Sequence, residues 1–337
     1  MTPRRLSRGA VVVAGLLLVG LPTLAHARSG PSQVGGAGER SATALLEHAV
    51  TAGQRLEYRG TQLVTVWRDG VPHRTSAQLA HDPVTGSVLR GGGAGDPHPE
   101  AAGDTAVLDR RVLDRLAASY ALSVRGPVPC AGRTASLVEA RRTDGALAGR
   151  LWVDRDSGLL LRREVFDAAG RRARSTALVD LAVAPARGAV RRPEVRAATG
   201  PVRVQRLRAQ GWPVVERLPG GFQLLEARHD DPVLQLAYTY GLSTLSVFVQ
   251  PGGLHASGLE GFTRRRVDGW PVLLRRTAPE RVVWSDGRHV YTVVSDAPEP
   301  AVLAVVAALP HRAEDGGLLG RLERGTVRLA GLLNPLD

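Results

Sequence analysis

Between Ala121 and Ala182 the sequence alternates short apolar runs with tight-turn residues, and this rhythm constrains the fold more than any other feature. Turn signals stand at Asp144-Gly145, Asp156-Ser157-Gly158 and Ala169-Gly170. They separate runs near 121–125, 134–141, 147–154, 159–166 and 172–182, each long enough for a strand and too short for a helix. Consecutive strands joined by such turns form an antiparallel meander. The stretch "RLWVDRDSGLLLRREVFDAAG", Arg150 to Gly170, looks dense enough in charge for catalysis. It reads instead as a hairpin, with Asp154 and Asp156 suited to accept backbone N–H bonds in the turn. Leu159-Leu160-Leu161 is apolar on both strand faces, so something is expected to pack on each side.

Upstream, "SATALLEHAVTAG" begins at a candidate N-cap, Ser41, and sets Ala42, Leu45, Leu46 and Ala49 on one helical face. A hairpin follows, folded at Asp69-Gly70. Gly91–Gly103 reads as a loop, and "TAVLDRRVLDRLAAS" as a second helix with Leu108, Val112 and Leu116 in register. Residues 183–203 contain three prolines and no large apolar cluster, so they read as a linker. Beyond it come the strands "FQLLEAR", "PVLQLAYTYG", "TLSVFVQPGG" and "GWPVLLRRT", then a hairpin at Asp286-Gly287 and the helix "PEPAVLAVVAAL". The fold class is therefore α+β, with boundaries at 1–27, 28–40 (flexible leader), 41–182, 183–203 (linker), 204–311 (a smaller α+β domain) and 312–337. The final segment places Leu318, Leu322, Leu329 and Leu333 near one face, as a docking helix or a membrane-surface helix would.

The first 27 residues have a positive start at Arg4, Arg5 and Arg8, an apolar core Ala10–Leu21 and the small-x-small site Ala25-His26-Ala27. This is an export signal expected to be cleaved after Ala27, the alternative being retention as an anchor. The formal charge is +12, all 44 basic residues are Arg and there is no Lys. That excludes Walker A and Schiff-base lysines and Ser-Lys dyads. The Arg bias fits a GC-rich genome, and aromatic residues are too sparse to make a stacking platform for nucleic acid. Cys130 is the only cysteine, so no intramolecular disulfide can form, and a small buried residue is its expected role. His81-Asp82 and His229-Asp230-Asp231 sit in turn-like sequence without the ligand spacing zinc needs. No metal, cofactor or catalytic group is expected.

Three stretches are similar to the RseB/MucB family. They are "LEYRGTQLVTV" at 56–66, the run from Cys130 to Arg172, and "LPGGFQLLEAR", "LAYTYGLSTLSVFVQP" and "YTVVSDAPEPAVLAVVAAL" in the second domain. Tyr240 departs from that family's usual Asp. The resemblance implies an N-terminal domain like the LolA lipoprotein carriers, a curved antiparallel half-barrel with helices, followed by a smaller α+β domain. It also implies a non-enzymatic, periplasmic or extracytoplasmic regulator that acts at the membrane surface without spanning it. Such a regulator binds the outer segment of a membrane-spanning anti-sigma factor, controls its proteolysis in envelope stress, and responds to lipid or lipoprotein. A lipid or lipoprotein carrier is the alternative. From strand alternation, Leu63, Trp67, Trp152, Leu160 and Phe166 are expected to line one binding face, with Arg264, Arg265 and Arg266 at a cleft between the domains.

Overall fold

The computed structural model describes residues 34–91, 108–184, 201–254, 259–276 and 279–311. The export segment, the Gly-rich loop and the leucine-bearing tail fall outside them. Among the described residues, two open eight-stranded antiparallel sheets account for nearly all the regular structure, and four α-helices pack on them.

The first sheet runs in the order β3-β2-β1-β8-β7-β6-β5-β4. Its members are β1 (Glu57–Arg68), β2 (Val71–Asp82), β3 (Gly86–Gly91), β4 (Ala121–Cys130), β5 (Arg133–Arg141), β6 (Leu147–Asp154), β7 (Leu160–Phe166) and β8 (Arg172–Ala184). The edge strands β3 and β4 do not pair with each other, so the sheet does not close into a barrel. The β1–β2 turn takes positive φ at both Asp69 (51°) and Gly70 (80°), the twist that a two-residue hairpin requires. Strand β3 falls in a stretch the sequence did not mark. Asp82 holds its hairpin by accepting backbone N–H bonds from Val84 (2.8 Å) and Thr85 (2.9 Å).

Helix α1 spans Val34–Arg55, starting seven residues before Ser41 and inside the expected flexible leader. Glu39 and Arg40 are good helix formers and extend it backwards, so Ser41 caps nothing. Helix α2 spans Arg110–Ser119, later than expected, because the Asp109 side chain accepts the Arg111 N–H at 2.7 Å and caps it there. Leu108 precedes that cap, and both it and Leu113 are buried in one cluster, the positions of a hydrophobic staple. With Leu46, Ala49 and Leu116 they cover Val138, Leu151, Val153, Leu160 and Val165 of the sheet. We call this covered side the inner face.

The second sheet runs β13-β14-β15-β16-β12-β11-β10-β9. Its strands are β9 (Arg217–Leu218), β10 (Phe222–Asp230), β11 (Val233–Thr239), β12 (Thr244–Pro251), β13 (Thr263–Val267), β14 (Trp270–Arg275), β15 (Glu280–Ser285) and β16 (His289–Ser295). Helices α3 (Pro201–Ala209) and α4 (Glu299–Ala308) pack on it. α3 begins inside the expected linker, with Val204 and Leu207 buried in the sheet's core. That periodicity is short and lies among arginines, which hides it in the sequence. No helix of the described residues is long and apolar enough to cross a membrane.

The two domains interlock. The turn between β11 and β12 is braced by Thr239, whose hydroxyl donates to Ser243 O (2.7 Å) and accepts from Gly241 N (2.9 Å). That turn inserts Leu242 into the apolar cluster under α1 and α2. A Cβ on Gly149 of β6 would lie 2.4 Å from Leu242 Cδ2, and one on Gly241 would lie 2.5 Å from Leu116 Cα. The fit thus depends on two absent side chains. Beside it, Arg163 of β7 donates to Asp296 at 2.5 Å, and Asp296 also accepts from Thr244 N (2.6 Å).

Candidate binding surface

The side of the first sheet away from α1 and α2 is lined by arginine, glutamate and aromatic side chains. Register sets this pattern. Across the sheet, Leu63 pairs with Ala177, Ala177 with Arg162, Arg162 with Trp152, and Trp152 with Leu137. The next row runs Thr65, Ser175, Glu164, Arg150 and Glu139. Alternation puts both rows on the same outer face.

Leu160 does not belong to it. The β6–β7 register shifts at Trp152/Val153, so Val153 pairs with Leu160 and Trp152 with Arg162, leaving Leu161 as the bulged residue. A bulge reverses the alternation that follows it. Leu160 therefore lies in the inner cluster with Val153, while Leu161 packs with Cys130 and Ala135 on the other side. Leu159 joins a third cluster with Tyr58, Leu79 and Leu178. The Leu159-Leu160-Leu161 run is thus contacted on both faces, as expected, but the face predicted for Leu160 is corrected. The turn before it is closed by Asp154, which accepts from Ser157 N (3.0 Å), Ser157 Oγ (2.6 Å) and Arg133 Nε (3.0 Å). Burial works to raise the pKa of Asp154, and the Arg133 and Ser157 bonds outweigh it, leaving the carboxyl below its ordinary value. Gly158 follows at φ 77°, and a Cβ there would lie 2.4 Å from His48 Cδ2 of α1.

On the outer face, two buried carboxylates organise five arginines. Glu139, 3% exposed, accepts from Arg141 Nη2 (3.0 Å) and Arg150 Nε (3.1 Å), and Arg125 lies at 3.3 Å. Desolvation pushes its pKa up, and these three guanidiniums more than reverse the effect. Glu164, 2% exposed, accepts from Arg162 and pairs with Arg172 at 3.3 Å. Three of the arginines also lie over rings. Arg162 is 5.1 Å from the Trp152 ring centre, Arg172 is 5.1 Å from Trp67, and Arg150 is 5.7 Å from Phe166. A guanidinium held by a carboxylate on one side and a ring face on another has lost much of its rotamer freedom before any ligand arrives. Such a surface can bind planar anions.

Among the expected binding residues, Trp67, Trp152 and Phe166 are therefore brought into one network, and Leu63 lies beside it, 40% exposed. Arg264, Arg265 and Arg266 sit on the edge strand β13 of the other sheet. Arg265 donates to Glu299 of α4 (2.7 Å), and Arg266 donates to Gly269 O (2.8 Å). Sequence reasoning missed Glu139, Arg125, Arg141 and Arg150 as members of the outer network. They lie on three consecutive strands, β4, β5 and β6, and meet only through the register between them; the only local signal was an acidic residue, Glu139, placed where a strand should be apolar.

Cys130 is buried, and burial pushes its thiol pKa up. His81 stacks on Tyr58 at 4.6 Å, and its Nδ1 lies 2.7 Å from Ser87 Oγ. Among the described residues no group of three or more His, Cys, Asp or Glu is placed to hold a metal.

Residues 98–202 match the family model of the MucB/RseB N-terminal domain. Among curated proteins none matches the chain. Among solved structures, the crystal structure of MucB is 22% identical over 81% of this chain and 98% of that one, with a TM-score of 0.47. A crystal structure of MucB in complex with MucA(peri) is 23% identical over 81% and 99%, TM-score 0.40. The MucA/MucB complex of Pseudomonas aeruginosa is 23% identical over 81% and 100%, TM-score 0.39.

Proposed function

We propose that this chain, whose residues 98–202 match the MucB/RseB N-terminal domain model, is an exported regulator that binds the extracytoplasmic segment of a membrane-spanning anti-sigma factor and controls its proteolysis. The match over 98–202 carries the reading. It covers the α2 and β4–β8 segment that builds both the inner core and most of the outer arginine network. The two interlocked domains support it, because a regulator of this kind works by linkage. It favours the protected partner only by the difference between its affinities for protected and cleavable forms. Two domains fixed against each other hold one such binding geometry. The mature protein begins at Arg28 in this reading and acts at the membrane surface, where N-terminal sequencing of the exported product gives the start directly.

The test is limited proteolysis of an anti-sigma factor's outer segment encoded beside this chain. A saturating amount of the full chain slows cleavage by the site-1 protease; equal cleavage rates with and without it refute the reading. The lipid-carrier alternative requires a pocket under the helices. There Leu46, Leu113, Leu116 and Leu242 now fill the space, so an acyl chain would have to displace them. Native mass spectrometry of the gently purified protein distinguishes the two, a carrier retaining bound lipid.

A further inference from the structure

We propose that the outer face of the first sheet is a docking surface for an extended acidic segment of polypeptide in which acidic and apolar residues alternate. The proposal rests on the regulatory reading above and names the chemistry of the partner segment that this face fits.

Charge is the first reason. Arg125, Arg141, Arg150, Arg162 and Arg172 surround only Glu139 and Glu164, so five guanidiniums face two carboxylates and three positive charges remain in excess. The carboxylates are buried, while the arginine side chains keep 35–65% of their surface in solvent. The negative charge therefore lies below the surface and the positive charge on it. A solvated face lacks this layering, since exposed Arg–Glu pairs present both signs to water.

Shape is the second reason. The network crosses six adjacent strands, β4-β5-β6-β7-β8-β1. At about 4.8 Å per strand the band is roughly 24 Å long, the length of about seven extended residues. A compact headgroup or a free anion would occupy only one or two arginines of such a band. Trp152 on β6, and Trp67 and Leu63 on β1, place apolar contacts within the band and at its β1 end, where the apolar residues of such a segment can pack. The aromatic rings also fix Arg162 and Arg172, so the loss of side-chain freedom on docking is small.

The probe is a fluorescein-labelled heptapeptide of alternating Glu and Leu, read by anisotropy against the full chain at low salt. Its Gln-Leu counterpart, phosphatidylglycerol vesicles and inorganic phosphate form parallel arms. The expected result is binding of the Glu-Leu peptide, weakened at least tenfold by Arg125→Gln combined with Arg172→Gln. Arg125→Lys combined with Arg172→Lys should restore part of it, since charge returns without the stacked plane. Both positions are half-exposed, and an unchanged circular dichroism melt verifies folding. Absence of peptide binding, equal binding of the Gln-Leu peptide, or indifference to the Gln variants overturns the proposal. Vesicle binding that depends on the same arginines, with no peptide binding, assigns the face to lipid instead. The protease assay separates the two readings. Wild-type protection that survives in the double Gln variant sinks this surface and leaves the regulatory function intact. Arginine-dependent peptide binding by a wild-type chain that gives no protection does the opposite.

Discussion

Replacing Leu242 with alanine should uncouple the domains while leaving each one folded. Leu242 belongs to the second domain, yet its side chain is 1% exposed within the apolar cluster of the first. Separating the domains would return this side chain to water, a loss of about 1.5–3 kcal/mol for a fully buried leucine. Truncation in place also leaves a cavity, because Gly149 and the backbone of α2 hold the surrounding walls, so the total cost is about 2–5 kcal/mol. At 1.4 kcal/mol per factor of ten, the docked state is disfavoured by roughly 30-fold to a few thousandfold. Hydrogen exchange followed by mass spectrometry reads this locally. Protection should fall over 110–119, 147–153 and 239–244, and remain at the wild-type level over 282–294, whose Val282 and Val293 lie in the separate core of the second sheet. Gly149→Ala should do the same from the other side, since its new Cβ would meet Leu242 at 2.4 Å. Unchanged exchange over 239–244 in both variants would refute the interlocked-domain reasoning. So would uniform loss of protection in both domains, which would make the turn a part of one cooperative fold.

Three further expectations follow from the charges and the thiol. Glu280 is 5% exposed, and burial, reinforced by Glu299, pushes its pKa up to about 7 against the opposing charges of Arg68, Arg276 and Arg265. A raised carboxylate pKa gives stability that is complete below pH about 4.5 and is lost as pH climbs through about 7. Its share of about 3 kcal/mol should vanish from the pH dependence of urea unfolding in Glu280→Gln, and an identical slope in both proteins would contradict the assignment. Asp154→Ala leaves Arg133 and the Ser157 turn without their shared acceptor, and chemical denaturation should report a loss of about 3 kcal/mol; a loss under 1 kcal/mol would mean that the turn is held by its backbone alone. Cys130 should react with a thiol reagent at pH 8 much more slowly in the native chain than in urea, and equal rates would place the thiol at the surface.

Local chemistry was legible from the residues themselves. Turn residues at Asp69-Gly70, Asp144-Gly145, Ser157-Gly158 and Asp286-Gly287 depend only on which backbone angles those side chains allow, so the hairpins, the β4–β8 meander and the α+β class followed from them, whereas the β1–β8 and β12–β16 pairings did not. Asp154 as a turn acceptor was legible for the same reason. The inner and outer faces of β7 were not, because a single bulge at Leu161 reverses alternation, and a bulge is set by the neighbouring strand. Glu139 could not be joined to Arg125, Arg141 and Arg150 before β4, β5 and β6 were aligned in register. Leu242, a residue of one domain, could not be assigned to the core of the other. Periodicity and turn chemistry act over a few residues, so what they govern can be read along the chain. Register, burial of charge and domain docking arise between segments that meet only when the sheets assemble, and no local pattern encodes them.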